Sequence, residues 1–548
     1  MKNKLLICIK FYFVKPIFRF LFLAILCVTF IQCAKTGRPE GGPKDEAAPI
    51  LVTADPPYES IRFNSDNIRI YFDEYITLKN LNKQLVVSPP LKNPPLISPQ
   101  SSPSKYINIK ILDTLLKNTT YIFNFGSAVQ DNNEGNKIES FKYVFSTGSY
   151  IDSLIAKGSV KDAYLKKIDR NVNVMLYRID SVFTDSIIYK KKPSYIANTL
   201  DTTLFAFSNL QKGKYLMVAL KEVSNDYIFN PKTDKIGFSL DTIFLPKDSI
   251  IKNPIALFNE TIPYSFKRGK EISKGKIQFG YVGKTKNLNI KVLSKIPDDF
   301  KSISKFEKDK DTLNYWFTPF EADSLNFIVA TDKMIDTTTV FLRKKKMDTL
   351  TLNSSVRQTL HFRDTFFIES NNPIIKIDSS KITLFDKDTT AIFFKTFLSK
   401  KENKVGILFD KKPVQAYTIK VLPEAFSDIF AHKNDSLAYK VVTKEIEDYG
   451  RITMNISNPK SHNLIIELID DKKKVVASEY ISTSQAIVFD LLVPKKYYVR
   501  AIIDRNKNKI WDTGNYLKKL LPEKVIYYQT ELALRANYYL NESFTVED

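Results

Sequence analysis

Oxygen-bearing side chains recur at positions 1, 3, 5 and 9 of a run near the C-terminus, Asp504-Arg-Asn506-Lys-Asn508-Lys-Ile510-Trp511-Asp512. That spacing is the spacing of a calcium loop, which wraps a hard cation in side-chain oxygens and adds the carbonyl of position 7, here Ile510. The expected ligands are therefore the side chains of Asp504, Asn506, Asn508 and Asp512 with the Ile510 carbonyl, and calcium is the one cofactor the sequence raises. Two positions depart from the pattern: Lys509 stands where the loop needs glycine, and Asn515 where it needs a bidentate glutamate. The same residues also read as an Asx-rich turn between two strands, and the sequence leaves both readings open.

Other chemistry finds less support. The three histidines, His361, His432 and His462, lie far apart, with no second His or Cys at metal spacing, which argues against zinc and for structural roles. Gly283-Lys284-Thr285 resembles the end of a phosphate loop, but Gln278 occupies the place of its first glycine. Asp73 and Glu74 are neighbours on an expected strand, so they face opposite sides and cannot pair as carboxylates without a bulge. No Gly-x-Ser-x-Gly elbow occurs, and the cysteines are Cys8, Cys27 and Cys33 only. No catalytic residue is assigned.

The N-terminus explains the cysteine that matters. Lys2, Lys4, Lys10, Lys15 and Arg19 precede an apolar run from Phe20 to Ile31, and Cys33 follows directly. A basic segment, a short apolar segment and a polar exit make a secretory signal over residues 1–32. The apolar run is shorter than the roughly 20 residues a spanning helix needs, so a retained signal anchor is the weaker reading. With no later cysteine for a disulfide, Cys33 is expected to take diacylglycerol and acyl chains of the palmitate class, holding the protein on a membrane. Phe30, Ile31 and Gln32 depart from the usual residues before such a cysteine.

From about residue 50 onward, β-branched and aromatic residues alternate with polar ones between Asn, Asp, Gly and Pro turns, which predicts an all-β chain of sandwiches. The pattern at Asn67 to Pro89 returns at Thr365 to Phe385, that at Tyr121 returns at Tyr417, and that at Lys212-Gly213 returns at Pro494. Repeats of this kind predict modules in the order A-B, a middle segment, A-B, strung as a rod. The expected divisions are a tether over 33–47, modules over 48–148 and 149–261, a middle β segment over 262–350, a second copy of the first module over 351–446, and a second copy of the other over 447–548. Formal net charge is +22, or +17 once the five cations of residues 1–32 are removed. That excess favours anionic partners, although Lys, Asn and Ile are abundant along the whole chain.

Tyr71 to Ile76, Val86 to Pro90 and Asn118 to Asn136 closed by Phe145-Ser146-Thr147-Gly148 resemble the bacterial Ig-like domains of surface-layer and surface-exposed proteins. With the stretch Cys33 to Glu46, the whole resembles Ig-like-domain lipoproteins of Bacteroidota. Gly158 to Ala163, with the strands at Lys214 and Lys495, is similar to the prealbumin-like sandwich of carboxypeptidase regulatory domains. These resemblances imply tandem Ig-like and prealbumin-like sandwiches without catalysis. The expected function is a structural or binding scaffold of the cell envelope, lipid-anchored at the outer membrane and meeting an envelope protein or an anionic glycan but no specific nucleic acid. The alternative is an accessory subunit or enzyme acting on cell wall or polysaccharide through a loop-built site. The residues after Cys33 lack an acidic cluster, which leans toward the periplasmic face.

Overall fold

The computed structural model describes residues 45–167, 169–283, 288–307, 310–331 and 334–547. Among these residues the single α-helical turn is Leu81–Gln84, and apart from three short 3-10 turns the rest of the regular structure is strand. The fold is all-β, a tandem of two-sheet sandwiches.

The first sandwich follows from period-two patterning. In Asn67–Leu78 the side chains of Ile68, Ile70 and Phe72 are buried, while Arg69 and Asp73 face water. This strand lies between Leu51–Asp55 and Ser104–Lys110, with Leu96–Ser98 beyond, and the sheet faces a second one of Val86–Ser88, Thr120–Gly126 and Phe141–Ser146. Phe123, Phe125, Tyr143 and Phe145 fill the space between them. Pairing with Ser104–Lys110 slips between Tyr71 and Ile76, so Asp73 and Glu74 do sit at a break in register. The Asp73 carboxylate there accepts the Ile50 N–H at 2.8 Å, pinning the entering chain.

The sheets then repeat in order. Leu352–Ser354, Phe366–Ser370, Lys404–Phe409 and Phe394–Leu398 follow the arrangement of the first sheet, and Ile382–Phe385, Ala416–Val421 and Leu437–Val442 that of its partner. Leu154–Asp162 pairs with Leu204–Leu210 and, in parallel, with Ile255–Leu257. Gly450–Ser457 pairs likewise with Gln485–Leu492 and, in parallel, with Tyr539–Thr545. Between the two sets stand the sheets led by Ser265–Ser273 and Asn289–Val292.

The repeated sequence patterns have a physical basis in repeated side-chain devices. Tyr121 and Tyr417 each use the phenol oxygen to accept the N–H five residues back, Leu116 at 2.9 Å and Lys412 at 2.7 Å. Tyr215 and Tyr497 each donate to the carbonyl four residues back, Gln211 at 2.9 Å and Val493 at 2.7 Å. Asp131 gathers the N–H groups of Glu134, Gly135 and Asn136 at 2.6 to 2.9 Å. Asp428 does the same for Phe430 and His432 at 2.9 and 2.8 Å and also bonds His432 Nδ1, so that histidine belongs to a turn.

Burial pushes the Asp131 carboxyl up, but its backbone donors outweigh this and hold it below the ordinary carboxylate value. A carboxyl depressed on folding stabilises above its unfolded pKa and loses that contribution as pH falls through the folded value. Residues 48–148 alone are therefore expected to give a β-type circular dichroism spectrum and a cooperative melt near neutral pH, with stability falling below about pH 4. A disordered spectrum at pH 7 would place the module boundary elsewhere.

Gly213–Lys221 shows why one sheet needs two cores. Its six residues from Tyr215 to Leu220 are all buried. Tyr215, Met217 and Ala219 point into the sandwich, whereas Leu216, Val218 and Leu220 join an outer cluster with Tyr177, Phe238, Phe258 and, from far along the chain, Tyr516. A run apolar on both faces requires a cover on each, and here the outer cover is partly another module.

The modules do not form an open rod. Thr120 Oγ1 donates to Asp152 at 2.8 Å where the first sandwich meets the second, and Lys305 Nζ to the Glu402 carbonyl at 2.8 Å further along. His361 Nε2 lies 2.8 Å from the Leu491 carbonyl and its ring 4.9 Å from that of Tyr449, tying the sandwich that holds Phe366–Ser370 to the last one. The last sandwich then packs back on the second, so the chain from about residue 150 to its end closes a circuit. A rod follows from repeats only if the outer faces are polar, and the face of Leu216, Val218 and Leu220 is not.

Candidate functional site at the loop from Asp504 to Glu523

The loop grows from the end of Lys496–Ile503, where Asp504 is 1% exposed. Its two carboxylate oxygens accept the N–H groups of Asn508 and Lys509 at 3.2 and 2.9 Å. Asn506 Oδ1 accepts from Asn508 N at 3.1 Å and Asn508 Oδ1 from Ile510 N at 2.9 Å, the side-chain-to-backbone pattern of Asx turns. Lys507 and Lys509 have φ of 60° and 64°, so Lys509 adopts the left-handed geometry that the glycine would have supplied. The amides of Asn506 and Asn508 both donate to Asp512 Oδ2, at 2.5 and 2.6 Å. Four of the five expected ligand residues are thus drawn together through side chains, while Ile510 is 52% exposed at the rim.

The residue missed from sequence is Glu523. It is 5% exposed and accepts the N–H of Arg505 at 2.7 Å and of Asp512 at 3.0 Å, so one carboxylate spans both ends of the loop. Asn515, assigned to that role by counting, bonds Leu520 across a small turn instead. Burial pushes the Glu523 carboxyl up against the pull of those two N–H donors, and Asp504 and Asp512 push it the same way. Glutamate after Leu521-Pro522 was the available signal, but fixed-register counting excludes it.

As arranged, Asp504, Asp512 and Glu523 are all satisfied by N–H donors, and the two carboxamides turn nitrogen rather than oxygen toward Asp512. Among the described residues no three His, Cys, Asp or Glu side chains form a metal-holding group. A cation at Asp512 would have to displace the two amide donors and bring their oxygens round.

The loop's outer side does something else. Trp511 lies with its ring 4.5 Å from that of Tyr164 in the second sandwich, and its Nε1 donates to the Glu523 carbonyl at 3.0 Å. Thr513 Oγ1 donates to the Asn259 carbonyl at 2.6 Å, and Tyr516 N to Glu260 at 2.5 Å. A Cβ on Gly514 would lie 2.6 Å from both the Leu520 carbonyl and the Phe258 ring, so only glycine allows this approach. Beside the loop, Arg500 places its guanidinium 3.7 Å from the Tyr164 ring centre, and Tyr527 donates to the Tyr164 carbonyl at 2.8 Å. The loop and its flank are a docking element between two modules.

Cys33 and the signal segment lie outside the described residues, as do Lys284 and Thr285. Gly283, with φ of 85°, makes a close approach to the carbonyls of Ile262 and Pro263. Glu74 stands at the register break, its carboxyl pushed up by burial and then by Asp131, Asp73, Asp45 and Glu134.

The fold and its side-chain devices define a tandem β-sandwich protein whose first module is Ig-like. Residues 45–147 match the family model of the bacterial Ig-like domain. No curated protein matches the chain. Among solved structures, the Bacillus anthracis TIE protein is 10% identical, with 92% of this chain and 76% of that one covered and a TM-score of 0.14. The surface layer protein SbsC, domains 1 to 6, is 11% identical over 89% of this chain and 68% of that one, with a TM-score of 0.14. BcpA, the major pilin subunit of Bacillus cereus, is 7% identical over 71% of this chain and 99% of that one, also with a TM-score of 0.14.

Proposed function

We propose that the chain is a non-enzymatic scaffold of the cell envelope, lipid-anchored through Cys33 at the outer membrane and presenting a closed set of sandwiches to an envelope partner. The observation that carries this reading is the docking of modules onto one another, with Arg500, Trp511 and Tyr516 of the last sandwich fixed against the second. Surface cross-linking in cells followed by pull-down is expected to recover a partner at fixed stoichiometry, and its absence would count against a scaffold. Metabolic labelling with a fatty-acid probe should mark the wild type and fail on Cys33→Ala; equal labelling of both would refute the anchor. Protease treatment of intact cells reads the membrane face, with survival of the protein expected for the periplasmic one.

A second reading attaches calcium to the loop, on the observation that Glu523 brings the carboxylate that position 12 lacks. Asp504, Asn506, Asn508, Asp512 and Glu523 would hold the ion with the Ile510 carbonyl. A site of about 0.1 mM in about 10 mM calcium stabilises by roughly 2.7 kcal/mol, several degrees for one module. The gain should vanish in chelator and in Glu523→Gln. Identical melts in calcium and chelator would leave the loop as a hydrogen-bonded turn.

A further inference from the structure

Between the first and second sandwiches lies a cleft of about 570 Å³, within the size range of small-ligand sites. The wall from the first sandwich joins Asn82 and Lys83 to an apolar stretch of Val87, Pro90, Leu91 and Pro94. The facing wall, from the second, is polar and ordered. Asn198 donates to Asn173 at 2.6 Å, Asn173 donates to Glu222 at 2.7 Å, and the other Glu222 oxygen accepts the Tyr227 N–H at 2.9 Å. Asn173 is 5% exposed, so this network is fixed from beneath.

The backbone of that wall is bent to present it. Asn171, Asn225 and Tyr227 all have left-handed φ, of 54°, 57° and 62°. Asparagine tolerates this conformation, but a bulky tyrosine is strained there, and such strain concentrates at ligand-binding segments. The carboxamides of Asn171 and Asn225 line the cleft, and neither side chain hydrogen-bonds within the described residues. Each offers a donor and an acceptor together, which is what a vicinal hydroxyl pair requires.

Charge narrows the class. Lys192 Nζ donates to the Leu91 and Lys92 carbonyls at 2.7 and 3.2 Å, and Lys221 Nζ to the Arg170 and Asn171 carbonyls at 2.6 and 3.5 Å. Carbonyls hold both ammonium groups in place, the Asp113 carboxylate faces Lys192 from the first sandwich, and an ammonium has three protons, so each keeps one for a ligand. Glu222, the one carboxylate of the cleft, already has a partner on each oxygen. The cleft is therefore cationic where it is free, with carboxamides beside the cations and an apolar wall opposite.

We propose that this cleft binds a short acidic saccharide, a segment bearing uronate carboxylates. Lys192 and Lys221 take the carboxylate, Asn171 and Asn225 take hydroxyls, and the proline-leucine wall covers a C–H face of the sugar ring. The proposal rests on the envelope-scaffold reading and gives that scaffold a ligand.

The test is calorimetric titration of the full-length chain with tri-galacturonate and with a neutral trisaccharide of the same length. Tri-galacturonate should bind at least ten-fold more tightly. Lys221→Met should weaken it about ten-fold, as expected for loss of one charge-assisted contact. Asn225→Gly, which keeps the left-handed backbone and removes the carboxamide, should weaken it several-fold without lowering the melting temperature. The control is Lys401→Met, on an exposed hairpin of the second Ig-like copy, which should change nothing. Equal binding of the neutral sugar overturns the acidic class, and an equal loss in Lys401→Met reduces the effect to attraction by net charge and overturns the site. No binding of either sugar also overturns it. A stoichiometric cross-linked partner would then leave the scaffold reading standing by itself.

Discussion

Glu467→Ala is expected to lower the melting temperature of the C-terminal sandwich by on the order of 15 °C. Arg500 is 2% exposed, and its Nε donates to Glu467 at 2.6 Å. Its remaining donors reach the Tyr164 carbonyl at 3.1 Å and the Tyr527 hydroxyl at 3.2 Å, while the ring of Tyr164 lies under its face. All of those partners are neutral. Removing Glu467 leaves a cation out of water with no counter-charge, which costs about 3–5 kcal/mol. Glu467→Gln keeps an acceptor at the same place and should cost less. Differential scanning calorimetry of the full chain measures both, and a shift of only a few degrees for Glu467→Ala would mean that water reaches the guanidinium.

Tyr516→Ala is expected to open the circuit of modules. Tyr516 is wholly buried and meets the Phe238 ring edge-on at 5.3 Å. Truncating a buried aromatic costs about 3–5 kcal/mol, here drawn from the contact between two modules rather than from either core. The last sandwich should therefore stay folded but part from the second, seen as a larger radius of gyration and faster proteolysis around residues 258–264. Tyr516→Phe should behave in the opposite sense, because the Tyr516 hydroxyl is buried without a partner. Its removal relieves a desolvated polar group, so the variant should be neutral or slightly more stable. Unchanged scattering for Tyr516→Ala would show that the Arg500, Trp511, Thr513 and Tyr527 contacts suffice to hold the modules together.

The strands were legible because burial on one face writes itself as alternation, as in Asn67–Leu78 and Phe141–Ser146. The repeats were legible because each copy reuses the same device, at the same offset for Tyr121 and Tyr417 and for Tyr215 and Tyr497, and with a shift of one residue for Asp131 and Asp428. What was hidden has a common cause. Tyr164 and Arg500 stand 336 residues apart, and nothing in the local pattern of either names the other. Gly213–Lys221 is buried on both faces, and nothing in its own sequence names Tyr516 as the cover of one. Glu523 was missed for a different reason: the chain makes an excursion through Thr513 to Pro522 to dock on the second sandwich before it returns its carboxylate to the loop, and no fixed spacing allows for that detour. Asp512 and Trp511 were read as parts of one small turn, whereas their neighbours serve the joint between modules.

The closed circuit also determines how the protein bears tension. Pulled between Asp45 and a point on the last sandwich, the chain carries the load through the first and second modules and then directly across the Tyr516 and Arg500 contacts. The middle β segment and the second Ig-like copy lie on a side loop and feel no force while that joint holds. If it slips, those modules enter the load path still folded, and the chain lengthens by their folded extent without any core unravelling. The joint is thus placed as a mechanical fuse, and single-molecule pulling is expected to show a lengthening step with every core still folded.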